Sequence, residues 1–469
     1  MKSPSRLPGP GAWNVAGRVV VGVLLAAVVA NCDQQGDPAN LYVVENCVVP
    51  QDQIVALAGT LSAGSQAEWK AARDVIVHTP GEEVFVGVIH PAAALFEKAF
   101  SLEGARREHG QFICLLKRNG ARVFRLVDVL QAGTLDADRQ PVQGPALTQL
   151  REFAARSLTY DVSALPPDLQ ATQEPYRQDT LRSLHPDELV KIILQQPVVK
   201  LQSTSGHNTG LTATYVLDPV MNMYFMRDQV ITTAKGLVVG HFNAPQREVE
   251  TRIARFAYAK LGIVPIFEVS GDARLEGGDF IPAGETAFQG QGLRTNAQAV
   301  SQLLEAQAYG TPRVVVVKDP WKNQVEMHLD TYFNIVDERL AVVVADRIDI
   351  RDGSGHVVSH ADPLKRLTVD VYELSSAGYQ KVVADGDFQA FVEDSLGYRL
   401  IPVSPDDQLR YGLNFLSVRG RKILAIDGVS DEYKQRLASV GVDATWMDFR
   451  NLTSGFGAAH CTTQVVVRK

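Results

Sequence analysis

Cysteine is scarce in this sequence, with four residues in 469: Cys32, Cys47, Cys114 and Cys461. Their scattered positions exclude a CxxC metal site and a dense disulfide framework, and they predict at least one free thiol. An excess of basic residues is also missing, because the formal net charge is −7. This charge gives no reason to expect a nucleic acid or an acidic surface as a partner.

Long apolar runs are missing as well. The longest, Val19–Ala30, is shorter than the roughly 20 residues that a membrane-spanning helix needs. Basic residues precede this run and Cys32 follows it, a layout typical of a secretory signal or a lipid-attachment site, although Asn31 is larger than the residue that usually precedes a lipidated cysteine. We therefore expect residues 1–32 to direct export or membrane anchoring through Cys32. The alternative is an unprocessed extension on a cytoplasmic protein.

The chain as a whole has the composition of a soluble globular protein, with 45% apolar and 21% charged residues. Residues 33–65 are rich in small and polar side chains and predict a linker or extension. From residue 66 to 469, segments of strand and helix character alternate, which predicts an α/β domain. Within it, residues from about 134 to 200 predict a helical insertion, because no strong strand pattern interrupts them.

Four short segments combine residues that can do chemistry: NMYFMRDQ, LEGGDF, VEMHLDTYF and GFGAAHCTTQ. Each alone has a commoner explanation, namely a salt bridge, a turn, a buried hydrogen-bonded pair or an inert cysteine. Together they supply a thiol, Cys461, and a histidine, His328, that can serve as its acid or base. They also supply carboxylates at Asp228, Glu276 and Asp330. These disfavour an anionic substrate but match the N–H donors of a planar guanidinium.

The four segments resemble those of the arginine deiminase family of guanidine-modifying enzymes. The resemblance extends from about residue 67 to 469, and YFMRD, LEGGDF followed by GLRT, MHLDT and the terminal HC carry it, in the same order and with similar spacing. It implies an α/β fold of five pseudo-symmetric blades, a pentein propeller, with the active site at its centre. It also implies hydrolysis of L-arginine to L-citrulline and ammonia, with no metal or organic cofactor.

The resemblance implies a role for each candidate residue. Cys461 would attack the guanidinium carbon, and His328 would protonate the departing ammonia and then activate water. Asp228 and Asp330 would hold the guanidinium nitrogens, and Glu276 would orient His328. The residues expected to bind the rest of the substrate are Asn222, Phe225, Arg247, Arg294 and Asp279.

One position departs from the family pattern. Family members usually carry an arginine a few residues before the nucleophilic cysteine, where this chain has Ser454, Gly455 and Phe456. The substrate carboxylate is then left to Arg247 and Arg294. Two alternatives therefore stay open: a deiminase or amidinotransferase for another guanidino compound such as agmatine, and a non-catalytic propeller that serves as a binding scaffold. The expected partner is a small guanidino compound, no nucleic acid is expected, and we expect a homo-oligomer.

Overall fold

The computed structural model describes residues 44–469. The predicted signal or lipoprotein-like segment, residues 1–32 with Cys32, lies outside the described residues, as does the first part of the predicted linker. Among residues 44–469, a helix with the length and hydropathy of a membrane span is not found.

A unit of two antiparallel strands, a helix and a third strand parallel to the second recurs five times within residues 44–469. Each of the first four units contains, in chain order, a strand, a strand, a helix and a strand: the first is Val230–Thr232, Leu237–Val239, Glu248–Lys260 and Phe267–Glu268. The second is Phe280–Ala283, Thr286–Gln291, Ala297–Glu305 and Arg313–Lys318, and the third is Phe333–Asp337, Leu340–Val344, Phe388–Ala390 and Arg399–Val403. The fourth is Leu416–Arg419, Lys422–Ile426, Asp431–Ser439 and Asp443–Met447.

The fifth unit joins the two ends of the described chain. Its first strand, Gln464–Arg468, pairs antiparallel with Ala72–Val77. The helix Leu102–Arg118 then leads to Arg122–Arg125, which runs parallel to Ala72–Val77. These mixed sheets and their connecting helices confirm the prediction of an α/β fold.

The units form for local reasons that the sequence carries. Arg313–Lys318 reads RVVVVK, a run of β-branched residues suited to a buried strand. Two of the hairpins turn at Gly284 and Gly420, whose φ angles of +74° and +48° lie in the left-handed region that glycine adopts without strain. One apolar cluster, which includes Phe288, Val342 and Ile423, then packs the second, third and fourth units together.

The predicted insertion contains strands as well as helices. Its helices are Pro145–Ser157, Pro167–Ser183 and Pro186–Gln195, and its strands are Thr159–Ala164, Pro197–Ser203 and Leu211–Leu217. The three strands form one sheet that extends beyond residue 200. Because most of the side chains in these strands are at least partly exposed, they show no clear alternation of apolar and polar residues, and the sequence pattern did not reveal them.

Two further hairpins lie between the second and third strands of the third unit. They consist of Ile350–Arg351 with Val357–Ser359, and of Thr368–Ser375 with Gly378–Asp387. The longer hairpin extends the sheet of the second unit by pairing with Arg313–Lys318. The remaining α-helices of the described chain are Gln51–Leu57, Glu82–Ile89, Leu126–Leu130, Leu329–Tyr332 and Pro405–Gln408.

The described part of the predicted linker or extension, residues 44–65, packs against the rest of the chain. The helix Gln51–Leu57 buries Ile54 completely in an apolar cluster, and Gly64 bridges to Val467. Cys47 forms a disulfide with Cys114 on the helix Leu102–Arg118. Composition alone did not reveal this packing because the apolar residues that make it are few and separated by polar ones.

Candidate active site

The candidate catalytic residues lie on segments that precede the first strand of a unit. Asp228 precedes Val230–Thr232, and Glu276 precedes Phe280–Ala283. His328 and Asp330 precede Phe333–Asp337. Cys461 precedes Gln464–Arg468 in the unit that joins the chain ends. Residues that are more than 200 positions apart in sequence are therefore brought together by the repetition of one supersecondary unit.

These segments border a small pocket with a free volume of about 20 Å³. Seven of the predicted site residues line it: Asn222, Phe225, Asp228, Arg247, Arg294, His328 and Cys461. Glu276, Asp279 and Asp330 do not line it but are buried next to residues that do.

The pair formed by His328 and Glu276 shows why the LEGGD segment contains two glycines. His328 Nε2 lies 2.9 Å from Glu276 Oε2. A Cβ on Gly278 would lie 2.6 Å from the His328 ring, and one on Gly277 would lie 1.9 Å from the carbonyl oxygen of Arg227. Side chains at these two positions would therefore displace the imidazole and the neighbouring backbone, as expected where glycine permits close approach.

This pair carries a proton at neutral pH. Burial opposes protonation of His328, but the charge of Asp228 and the hydrogen bond to Glu276 outweigh burial and raise the pKa of His328 to about 9. Burial likewise opposes ionisation of Glu276, yet the hydrogen bond and charge of His328, with Arg294 and Arg247, lower the pKa of Glu276 to about 2. The site thus holds an imidazolium that can donate a proton.

Two carboxylates of the site each have an oxygen without a hydrogen bond, although Asp228 Oδ1 lies 3.9 Å from His328 Nδ1. Asp228 Oδ2 accepts a hydrogen bond from Arg247 at 2.8 Å, whereas Asp228 Oδ1 has no hydrogen bond. Asp330 Oδ2 lies 2.7 Å from His460 Nδ1, whereas Asp330 Oδ1 has no hydrogen bond. Buried carboxylate oxygens normally have a donor. These two acceptors are therefore suited to a cationic ligand with several N–H groups.

The thiol of Cys461 is buried between a donor and an acceptor. Its Sγ lies 3.6 Å from Asp330 Oδ2, which accepts from the S–H group, and 3.1 Å from Asn414 Nδ2. Burial, followed by the charges of Asp330 and Asp228, raises the pKa of the Cys461 thiol well above its usual value. A cation bound beside the sulfur would offset these charges and favour the thiolate.

The two predicted carboxylate-binding arginines have different surroundings. The Arg247 guanidinium donates to Asp228 at 2.8 Å and to Glu250 at 2.9 and 2.8 Å, so its charge is neutralised inside the protein. Arg294 Nη2 donates to Gln324 at 2.9 Å, Arg294 Nη1 lies 4.0 Å from Glu276, and Arg294 Nε has no hydrogen bond. Arg294 is thus the better placed of the two to bind an anionic group of a ligand, and Arg247 mainly supports Asp228.

Three other predicted residues stabilise the surroundings of the cavity. Asn222 Nδ2 donates to the carbonyl oxygen of Ala94 at 2.8 Å. Asp279 Oδ1 accepts a hydrogen bond at 2.9 Å from the N–H group of Leu329, the residue that follows His328. Burial raises the pKa of Asp279 to about 6. The Phe225 ring packs so closely on the loop before Cys461 that a Cβ on Gly457 would lie 2.4 Å from it.

Sequence reasoning noted His460 in the terminal HC motif but gave it no role, and it missed Asn414 and Glu68. His460 Nδ1 holds Asp330, and His460 Nε2 lies 3.6 Å from Glu68, which forms an ion pair with a buried arginine, Arg468. Asn414 contacts the sulfur. No motif marked Asn414, but its place just before the strand Leu416–Arg419, the first strand of the fourth unit, is the signal that could have found it.

A metal ion was not expected, although one group of ligand-type side chains is present among residues 44–469. Atoms of Asp228, Glu276 and His328 lie within 4.8 Å of one another. A metal-bound histidine must be neutral, whereas His328, with a pKa near 9, keeps its proton. Arg247 also lies 2.8 Å from Asp228. The charges of this group therefore suit a protonated imidazole better than a metal ion.

The site thus gathers a buried thiol, an imidazole and several carboxylates around one pocket. The sequence model of the arginine deiminase family matches residues 93–468. The chain belongs to the arginine deiminase family, and the resemblance noted from its motifs is confirmed.

Proteins named as arginine deiminases align with most of the chain. The chain is 26% identical to an arginine deiminase of Halobacterium salinarum, an alignment that covers 85% of this chain and 95% of that protein. It is 24% identical to an arginine deiminase of Listeria monocytogenes serotype 4b, over 84% of this chain and 95% of the relative. It is 23% identical to an arginine deiminase of Mycobacterium avium, over 87% of this chain and 99% of that protein.

Two solved structures align with most of the chain. DDAH from Pseudomonas aeruginosa, a mutant complexed with citrulline, aligns with a TM-score of 0.47 at 12% identity and covers 83% of this chain and 98% of its own. A dimethylarginine dimethylaminohydrolase adduct aligns with a TM-score of 0.46 at 13% identity, with the same coverage.

The pKa of His328 gives a prediction that needs no substrate. In histidine-labelled protein, with the signal assigned through His328→Gln, we expect NMR titration of His328 with a midpoint near 9. In Glu276→Gln the midpoint falls by about one unit or more, because a charged hydrogen-bond partner is replaced by a neutral one. Since the folded-state pKa exceeds the unfolded value near 6.5, protonation of His328 stabilises the fold fully below pH 6.5, and this contribution is lost as pH rises through 9.

The matched control is Glu305→Gln, the same chemical change at an exposed position of the helix Ala297–Glu305. It should leave the titration of His328 unchanged. A wild-type midpoint close to the ordinary value of a free histidine would contradict the proposed imidazolium.

Proposed function

We propose that the protein converts L-arginine and water to L-citrulline and ammonia through a covalent adduct on Cys461. The observation that carries this proposal is the pair of buried carboxylate oxygens without a hydrogen bond, Asp228 Oδ1 and Asp330 Oδ1, beside a buried thiol and an imidazolium. A guanidinium presents several coplanar N–H donors and one positive charge, which matches two separate acceptors. Membership of the arginine deiminase family supports the same substrate.

Binding of the cation would prepare the nucleophile. The charges of Asp228 and Asp330 hold Cys461 in the thiol form, and a guanidinium between them neutralises that effect. The thiol then releases its proton to solvent, and the sulfur attacks the central carbon of the guanidinium. The carboxylates hold that carbon in place, which supplies the positioning that a bimolecular reaction in water lacks.

Two proton transfers by His328 complete the reaction. As the bond from carbon to one terminal nitrogen breaks, the imidazolium gives its proton to that nitrogen, which leaves as ammonia, and a thiouronium remains on Cys461. The neutral His328 then takes a proton from water, whose oxygen attacks the same carbon. The carbon–sulfur bond breaks, and the ureido product leaves. One water is consumed, and no oxidant or reductant is needed.

We propose that Arg294 and Asn222 bind the amino-acid end of the substrate. Both line the cavity, and Arg294 has a nitrogen without a partner. The position that carries an arginine in most family members lies in the segment Ser454–Phe456, where Phe456 lines the cavity instead. Because this chain lacks that arginine, fewer positive side chains are available to bind a substrate carboxylate. A second candidate function therefore stays open, the hydrolysis or amidino transfer of a guanidino compound without a carboxylate.

We also propose that the five units form the blades of a pseudo-symmetric propeller. In support, the units share one connectivity, the fifth unit joins the two chain ends, and the segments before each first strand supply the site. An experimental structure in which the units did not surround the cavity would contradict this arrangement. A binding scaffold without catalysis is disfavoured, because thiol, imidazole and carboxylates are all in place.

Replacement of the nucleophile tests the reaction itself. We expect Cys461→Ala to lower ammonia release from arginine by at least about 10⁴-fold, because no other group can form the covalent adduct. Thermal unfolding of the variant should resemble that of the wild type. Acid-quenched wild-type protein should carry a thiouronium mass on the peptide with Cys461. Turnover retained by Cys461→Ala would refute the mechanism.

The amino-acid end can be tested by comparing two substrates. We expect Arg294→Ala to lower kcat/KM for arginine by roughly a hundredfold and to change that for agmatine little, because agmatine has no carboxylate to lose its partner. Arg252→Ala, at an exposed position of the helix Glu248–Lys260, is the matched control and should affect neither substrate. An equal loss for both substrates would argue that Arg294 acts only through Glu276.

We propose that the protein is exported, in agreement with the expected signal in residues 1–32. The supporting observation is the disulfide between Cys47 and Cys114, since such bonds persist mainly in oxidising compartments. In protein isolated from its native cells after blocking free thiols, we expect the peptides with Cys47 and Cys114 to be linked. The assignment would be overturned if the protein were found in the cytoplasmic fraction with Cys47 and Cys114 both modified by the thiol-blocking reagent.

A further inference from the structure

One buried polar residue beside the nucleophile has no part in the mechanism above. Asn414 is 1% exposed and immediately precedes the strand Leu416–Arg419 of the fourth unit. The corresponding segments of the other four units supply Asp228, Glu276, Asp330 and Cys461. Asn414 is thus the contribution of the fourth unit to the same set.

We infer that Asn414 is a positioning residue for Cys461, which fixes the loop of the nucleophile and donates a hydrogen bond to its sulfur as the thiolate forms. The inference rests on the proposed function, because it assigns Asn414 a role in the reaction of Cys461. Asn414 does not line the cavity, so it would act on the nucleophile and not on the substrate.

The orientation of the Asn414 amide follows from its other contacts. Asn414 Oδ1 accepts hydrogen bonds from the N–H groups of Ala458 at 3.1 Å and Cys461 at 3.3 Å. Only an oxygen can accept from these groups, so the amide nitrogen must point the other way. That nitrogen, Nδ2, lies 3.1 Å from Cys461 Sγ. A single side chain therefore holds both the backbone and the sulfur of the nucleophile.

The two polar neighbours of the sulfur act in opposite senses. Asp330 Oδ2, at 3.6 Å, can only accept, so it favours the protonated thiol. Asn414 Nδ2 can only donate, and a hydrogen bond to a thiolate is stronger than one to a thiol. An amide also carries no charge, whereas a lysine or arginine at this position would stabilise the thiolate but repel a guanidinium substrate. An asparagine thus suits this site for a chemical reason.

The path of the chain around Asn414 is set by a different residue. Asn334 Nδ2 donates to the carbonyl oxygens of Leu413 at 2.7 Å and Phe415 at 3.0 Å, one on each side of Asn414. Because Asn334 already holds this segment, the side chain of Asn414 is free to serve the nucleophile.

The test is the rate at which iodoacetamide alkylates Cys461, followed from pH 6 to 10 by peptide mass spectrometry. It needs no substrate. Asn414→Asp keeps an acceptor for the two backbone N–H groups but loses the donor to the sulfur. Asn414→Ala loses both. We expect alkylation at a given pH to fall about tenfold or more in both variants, with the rising part of the profile moved to higher pH, since hydrogen bonds to charged groups are worth this much. For arginine, kcat should fall while KM changes little.

Asn119→Asp, the same substitution at the end of the helix Leu102–Arg118, is the matched control and should alkylate like the wild type. Wild-type alkylation profiles in Asn414→Asp and Asn414→Ala would overturn the inference, as would a loss confined to KM. If Asn414→Ala does not fold, Asn414→Asp still decides. If the Asn414 variants alkylate more slowly as expected, but the wild type releases no ammonia from arginine, the proposed function is refuted while the role of Asn414 in positioning Cys461 stands.

Discussion

The site depends on one electrostatic constraint, the burial of several carboxylates beside a thiol. Asp228, Glu276 and Asp330 are almost fully removed from water, and carboxylates are stable there only with positive or donating partners. Arg247, Arg294 and protonated His328 supply part of that compensation. One oxygen of Asp228 and one of Asp330 remain without a donor. The proposed guanidinium would supply donors to these oxygens, and until it binds, burial and the charges of Asp330 and Asp228 favour the protonated thiol of Cys461.

Repetition of one supersecondary unit makes this arrangement possible. The residues just before the first strand of each unit line the cavity or contact a residue that does, and these five segments supply carboxylates, imidazole, amide and thiol. The chemistry is thus divided among units that share connectivity but not sequence. The closing pair of strands, Gln464–Arg468 with Ala72–Val77, holds the nucleophile's segment against the start of the domain.

The sequence predicted the elements with strong local signals and missed those that depend on packing. Motifs placed Cys461, His328 and Asp228 at one cavity, and all three line it. The exposed strands of the insertion lack an apolar alternation, so the pattern did not show them. Arg247 was expected to bind a substrate carboxylate, but Asp228 and Glu250 use its donors. No local pattern can tell which partner a buried arginine will meet, because that partner lies far away in sequence.

What the sequence determined by itself is the chemical inventory: a thiol, an imidazole and carboxylates on spaced motifs, together with the alternation of strands and helices. These follow from side-chain type and local periodicity, which one stretch of chain contains. The tertiary structure alone decided how the inventory is used. It buried residues 44–65, paired Cys47 with Cys114, assigned the proton to His328 and brought Asn414 to the sulfur. Each of these depends on distance and burial between remote residues, and electrostatic and hydrogen-bond energies are set by distance and burial.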